Sequence, residues 1–285
     1  MIKKQLPLEH SLIGFMQGRL SPLIDGKIQC FPWPYWKDEF ELAQRHGFPL
    51  MEWTLDQEDL YRNPLMTEAG RREIRHLQKE HGVQILSLTG DCFMQAPFYK
   101  RPASEAEGLI RDLRAIIAAC GDLGIRFLLI PLVDDGRIEN PGQETALKKG
   151  LETVIPDLKK NGVLISFESD FPPQRLRDFI AEFDPDCFGL TYDIGNSAAL
   201  GYDPLEEIEA CHDRIVNVHV KDRVLNGTTV PLETGNADLP GVFRLLKQFG
   251  YSGNYILQTA RAENGNHAEV LCDYRDRVRR WLNGA

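Results

Sequence analysis

The sequence has little that would direct it to a membrane, an oxidising compartment or a nucleic acid. Its longest apolar run, Phe127–Val133 (FLLIPLV), falls far short of the ~20 residues a spanning helix needs. The N-terminus, MIKKQLPLEH, carries neither an apolar stretch nor a small-residue cleavage site, so no secretory leader is expected. The six cysteines, Cys30, Cys92, Cys120, Cys187, Cys211 and Cys272, are scattered and form no CxxC pair. Such spacing argues against a disulfide framework and against a thiolate zinc site, and it predicts reduced thiols in a cytoplasm. Positive charge is in deficit. Against 42 Asp and Glu stand 33 Lys and Arg, a net charge of −9, which disfavours a broad phosphate-neutralising face. No GxGxxG follows an early apolar run, so an open dinucleotide-binding sheet lacks its main support. Linkers, low-complexity tracts and charge blocks are missing too. Residues 1–285 are therefore expected to form a single domain.

What is present is alternation. Eight short apolar runs recur: Leu12–Gln17, Leu50–Leu55, Gln84–Thr89, Arg126–Val133, Val163–Glu168, Phe188–Asp193, Ile215–Val220 and Tyr255–Thr259. Runs that are apolar on both faces suit parallel strands covered on both sides. Amphipathic segments lie between them. Leu109–Leu123 carries an apolar stripe, and His267–Leu282 closes the chain. Pro204–His212 and Leu239–Phe249 each follow an aspartate, Asp203 or Asp238, suited to an N-cap. Glycines at 47, 82, 124, 162 and 250 stand where helices should stop. Eight βα units of this kind predict an α/β fold, a single (β/α)8 TIM barrel.

In such a barrel the site is built from the C-terminal ends of the strands. The fifth run ends in Glu168, the sixth in Asp193, the seventh carries His219, and the eighth holds Gln258. Four consecutive strands thus each offer a group able to bind a divalent ion such as Mn²⁺, Mg²⁺ or Zn²⁺. Earlier strands contribute Gln17, Arg19, Glu52 and Asp91. Singly, each of these groups is more commonly a helix cap, a salt-bridge partner or a hydrogen-bonded core residue; their joint placement is what points to a metal.

The order Glu168, Asp193, His219 and then a polar residue on the last strand resembles the xylose isomerase-like TIM barrels, the sugar phosphate isomerases/epimerases of the AP endonuclease family 2 superfamily. The likeness runs from GFMQGRLSP to the end of the eighth strand. It is most specific in TYDIGN, NVHVKDR and the stretch ending YSGNYILQTAR. The resemblance implies metal ligands in the order Glu, Asp, His and Glu, with the two glutamates serving as acid and base. Gln258 departs from that pattern: an amide oxygen can bind a hard cation but cannot take up a proton.

A one-base proton transfer next to a carbonyl remains open, through a metal-stabilised enediolate, with Glu168 as the base. Glu52 and Asp91 are candidates for a second acid. Two alternatives are an inosose dehydratase-like lyase and a catalytically reduced barrel that binds sugar without turning it over. The expected partner is a small sugar or sugar phosphate, and a homodimer is the default for a soluble enzyme. Lys221, Arg223 and Arg261 follow the last two strands and suit an anionic group; surface cations are the plainer reading. The segment 227–238 has the length of an active-site loop, with Gly235 allowing close approach of a ligand. Phe31, Trp33, Tyr35, Trp36 and Trp53 could stack on a sugar face, or simply pack a long first loop. Whether Glu52 or Trp53 faces the barrel interior depends on strand register, which the sequence does not fix.

Overall fold

The computed structural model describes residues 12–284, and the MIKKQLPLEH stretch lies outside them. Eight parallel strands close into a barrel. They are β1 (Ile13–Met16), β2 (Met51–Thr54), β3 (Ser87–Thr89), β4 (Phe127–Leu132), β5 (Leu164–Ser169), β6 (Phe188–Asp193), β7 (Ile215–Val220) and β10 (Asn254–Leu257). The remaining two, β8 (Asp222–Arg223) and β9 (Thr229–Val230), form an antiparallel ribbon in the loop after β7. The barrel closes where β1 pairs with β10, placing Gly14 opposite Ile256. Each of the eight expected runs overlaps one barrel strand, with β5 continuing one residue past its run to Ser169 and β10 starting one residue before its run at Asn254.

Side chains alternate between barrel interior and helix layer with a period of two. On β5, Ser166 and Glu168 point inward while Phe167 packs outward against Phe179, Phe183 and Phe188. On β7, Asn217 and His219 point inward. On β2, Glu52 faces the interior, and Trp53 faces the helices, donating from its ring N–H to Asn63 at 3.2 Å. The inner layer is apolar at Met16, Leu50 and Ile256. Toward the C-terminal ends it turns polar, through Ser87, Thr89, Ser166, Thr191 and Asn217. The site therefore sits on a floor of small hydrogen-bonding side chains rather than on an oily one.

The helices follow their predicted signals. Asp203 and Asp238 cap α9 (Pro204–Cys211) and α10 (Leu239–Gln248) through their carboxylates. At the end of α4 (Ala103–Leu123), Gly124 adopts a left-handed conformation that L side chains rarely tolerate. α4 starts six residues before the expected Leu109, because its first turns are solvent-facing and carry no apolar stripe. All six cysteines are free thiols. Among the described residues no helix is long and apolar enough to cross a membrane.

Candidate functional site

Three of the expected groups converge at the C-terminal mouth. Glu168 is the penultimate residue of β5, Asp193 ends β6 and His219 lies on β7; one ligand atom from each falls within 4.8 Å of the others. His219 is fully buried and Asp193 and Glu168 nearly so. The ring is oriented from behind. His219 Nε2 lies 2.8 Å from Glu52 Oε1, which aims Nδ1 at Glu168 Oε2, 3.6 Å away, and at Asp193 Oδ2, 3.7 Å away. Both separations exceed hydrogen-bond reach. Nδ1 is accordingly buried without a hydrogen-bond partner.

Two ligands each about 2.1 Å from a tetrahedral ion stand about 3.4 Å apart. The spacing, the donor types and the unpartnered His219 Nδ1 therefore fit a shared divalent cation. A carboxylate behind a ligating imidazole is also the usual support for such an ion. Burial works against an imidazolium here, but Glu52, Asp193 and Glu168 hold the His219 pKa well above its ordinary value.

Local sequence explains each position. Asp193 does two things at once: Oδ1 accepts from the Asn196 N–H at 2.8 Å, starting α8 (Ile194–Leu200), while Oδ2 faces the cluster. Asn196 then donates its side-chain amide to Glu168 Oε1. Arg223 donates to the side-chain Oδ1 of Asn196 at 2.8 Å and to the Gly227 backbone carbonyl, tying the ribbon loop to the site. Lys221 Nζ forms an ion pair with Asp193 Oδ2 at 2.6 Å and donates to Gln258 Oε1 at 3.0 Å. Burial opposes it, but the Lys221 ammonium and His219 hold the Asp193 pKa below its ordinary value. Gln258 in turn donates to Gln29 Oε1 at 2.8 Å, and Gln29 donates to Asp91 Oδ2 at 2.7 Å. Burial, with Asp56 and Glu168 adding negative charge, pushes Asp91 up to about 7 despite that bond.

Several expectations are corrected. Glu52 is no second acid: it is fully buried and accepts from Ser87, Thr89, Asn217 and His219, so both oxygens are taken. Burial opposes ionisation of Glu52, yet His219 and these donors keep its pKa low. Trp53 does not reach a sugar, because its ring is packed behind the barrel wall, with Phe31 at 5.3 Å and Trp36 at 5.9 Å. Arg261 does not offer a free fork to an anion; both terminal nitrogens donate to backbone carbonyls, of Gly18 and Ser21. Gly235 makes its close approach to Asp222, whose carboxylate accepts its N–H at 2.9 Å, rather than to a ligand.

Sequence reasoning overlooked Asn196, Asn217 and Gln29. Asn196 was readable as the residue three beyond a strand-end aspartate, where a capping bond is expected. Gln29 carried no signal, since its partners Asp91 and Gln258 are 62 and 229 residues away.

The profile of the xylose isomerase-like TIM barrel family matches residues 40–280. The chain belongs to this family. The L-ribulose-5-phosphate 3-epimerase UlaE of Salmonella typhi is 27% identical over 254 residues, covering 86% of this chain and 89% of the relative. A crystal structure of the IOLI protein with a bound zinc atom superposes with a TM-score of 0.73 at 17% identity, covering 96% of this chain and 99% of the other. A xylose isomerase-like TIM barrel protein from Mycobacterium smegmatis, in complex with magnesium, gives a TM-score of 0.69 at 17% identity, covering 97% and 98%. These two structures share the fold with this family member.

Proposed function

We propose that the protein is an isomerase or epimerase of a small sugar or sugar phosphate, holding a divalent metal ion between Glu168, Asp193 and His219. The observation that carries this reading is His219 Nδ1, buried without a hydrogen-bond partner and facing Glu168 Oε2 at 3.6 Å and Asp193 Oδ2 at 3.7 Å. The sugar epimerase among its relatives supports the substrate class. When bound, the ion supplies Lewis acidity beside the substrate carbonyl.

The chain's own residues do the rest. Glu168 takes a proton from the carbon next to the carbonyl and returns it to the neighbouring carbon. Asn196 fixes one Glu168 oxygen, so the other faces the cluster. Gln258 can orient a substrate hydroxyl but cannot exchange a proton. A second proton-transfer group, where the reaction needs one, falls to Asp91: it stands at the start of α3 (Asp91–Gln95), and its carboxyl, pushed up to about 7 by burial, is suited to acid–base work near neutral pH. Asp91 also favours a second reading, loss of water from a hydroxy-ketone in the manner of a lyase. Product mass separates the two, since a lyase product is lighter by one water.

The test is proton exchange. With Mn²⁺ in D₂O and a panel of ketoses and ketose phosphates, the wild type should place deuterium on the carbon next to the carbonyl. Glu168→Gln should lose that exchange by about 10²-fold or more. Undiminished exchange in Glu168→Gln would remove the glutamate from the reaction and the proposal with it.

A further inference from the structure

Lys221 holds two of the four oxygen and nitrogen groups expected to surround the ion. Its Nζ lies 2.6 Å from Asp193 Oδ2 and 3.0 Å from Gln258 Oε1. The Asp193 oxygen is the same atom that faces His219 Nδ1 at 3.7 Å. The arrangement is built rather than incidental. The Lys221 side chain is 10% exposed and that of Asp193 1%. A Cβ at Gly195 would lie 2.7 Å from Lys221 Cγ, so the glycine in the first turn of α8 leaves the space through which the lysine passes. Because an ammonium only donates, Lys221 also settles which end of the Gln258 amide faces it, and Gln29 accepts from the other end.

We propose that Lys221 is a resident cation that competes with the divalent ion for Asp193 Oδ2 and draws Gln258 away from it. The inference rests on the metal reading above. A positive charge a few ångströms from a buried divalent ion raises that ion's free energy, and the repulsion is weakly screened at such a site. The ammonium neutralises one of the clustered carboxylates when no ion is bound, so the site need not stand as an uncompensated cluster of negative charge. Metal occupancy then depends on how readily Lys221 yields its oxygen. Gln258 takes part as a neutral acceptor for the displaced or resident ammonium.

The experiment is a calorimetric titration of the chelator-stripped full chain with Mn²⁺, comparing wild type, Lys221→Met and Lys221→Arg, each shown by circular dichroism to be folded. Lys221→Met, which removes the charge and keeps the stem, should bind Mn²⁺ about tenfold or more tighter than wild type. Lys221→Arg, which keeps the charge, should bind no tighter than wild type. Equal or weaker affinity in Lys221→Met overturns the proposal while leaving the metal site standing. No binding in any of the three overturns the metal reading and this inference together. The wild type gives an independent answer without a variant: Mn²⁺ should increase reductive methylation of Lys221 measured by peptide mass spectrometry, and unchanged or reduced labelling contradicts the competition.

Discussion

The residues nearest the cluster divide by whether their polar atoms are already spoken for. Glu52 accepts four donors and touches no open space, so it acts through His219 as a positioning residue. Glu52→Gln removes the charge and replaces one acceptor oxygen with an amide N–H₂ where Ser87, Thr89, Asn217 and His219 all donate. Breaking such a buried charged network should cost about 3 kcal/mol of stability, read from urea unfolding. The same variant should weaken Mn²⁺ binding by roughly 10- to 100-fold, as loss of a carboxylate behind a metal-bound imidazole does. An unchanged affinity would mean that the ring is oriented by something other than Glu52. Asp91 differs, since only one of its oxygens, Oδ2, accepts from a side chain, that of Gln29. Asp91→Asn should slow turnover while leaving the Glu168-dependent exchange of the substrate hydrogen measurable by deuterium incorporation. Loss of exchange as well would place Asp91 in the same step as Glu168.

Among the elements, the segment between β1 and α1 (Asp38–His46) is organised by a single buried carboxylate. Glu39 accepts the backbone N–H groups of Gly18, Leu20 and Ser21 at 2.8 to 3.1 Å. Arg261 holds the carbonyls of Gly18 and Ser21, and Arg19 reaches Ile28 and Gln29. This is what presents Gln29 to Asp91 and Gln258. Glu39→Ala strands three backbone donors, and the expected loss is about 3 kcal/mol or more. Hydrogen exchange should quicken at Gly18, Leu20 and Ser21 first; uniform exchange across the barrel would show that the segment is not held there.

The strands and their ends were legible because parallel strands buried on both faces are written as continuous apolar runs, and a polar residue at the end of such a run stands out. Glu168, Asp193 and His219 were found this way. The same double burial hid the inside-to-outside register of β2, where Glu52 and Trp53 are adjacent and both fully buried. Arg261 was misread because its partners lie more than 200 residues earlier in the chain, so local sequence advertises only a cation beside the mouth. The role of Gly235 went the same way, its carboxylate partner Asp222 being 13 residues upstream.

For the molecule as a whole, buried acids set the pH dependence of stability. Burial, opposed by its backbone donors, pushes Glu39 up to about 7, and burial likewise pushes Glu207 up to about 7 against Ser197 and Tyr192. Their ordinary value is 4.5. Between these values the folded chain keeps protons that the unfolded chain has released. The stabilisation from each group is therefore full below about 4.5, falls as pH rises toward 7, and is lost above it, by at most roughly 3 kcal/mol per group. Thermal melts should show stability declining across this window, and Glu207→Gln should flatten the decline. A decline of the same steepness in Glu207→Gln would assign it to other groups.

The central claim is that the barrel mouth holds a divalent ion on Glu168, Asp193 and His219. It is tested most directly by elemental analysis of the protein purified without chelator, beside Asp193→Asn, which keeps the capping bond to α8 and removes the charge. About one divalent ion per chain is expected in the wild type, retained or restored by Mn²⁺, and its loss in Asp193→Asn. No metal in either protein after incubation with Mn²⁺, or equal metal in both, would contradict it.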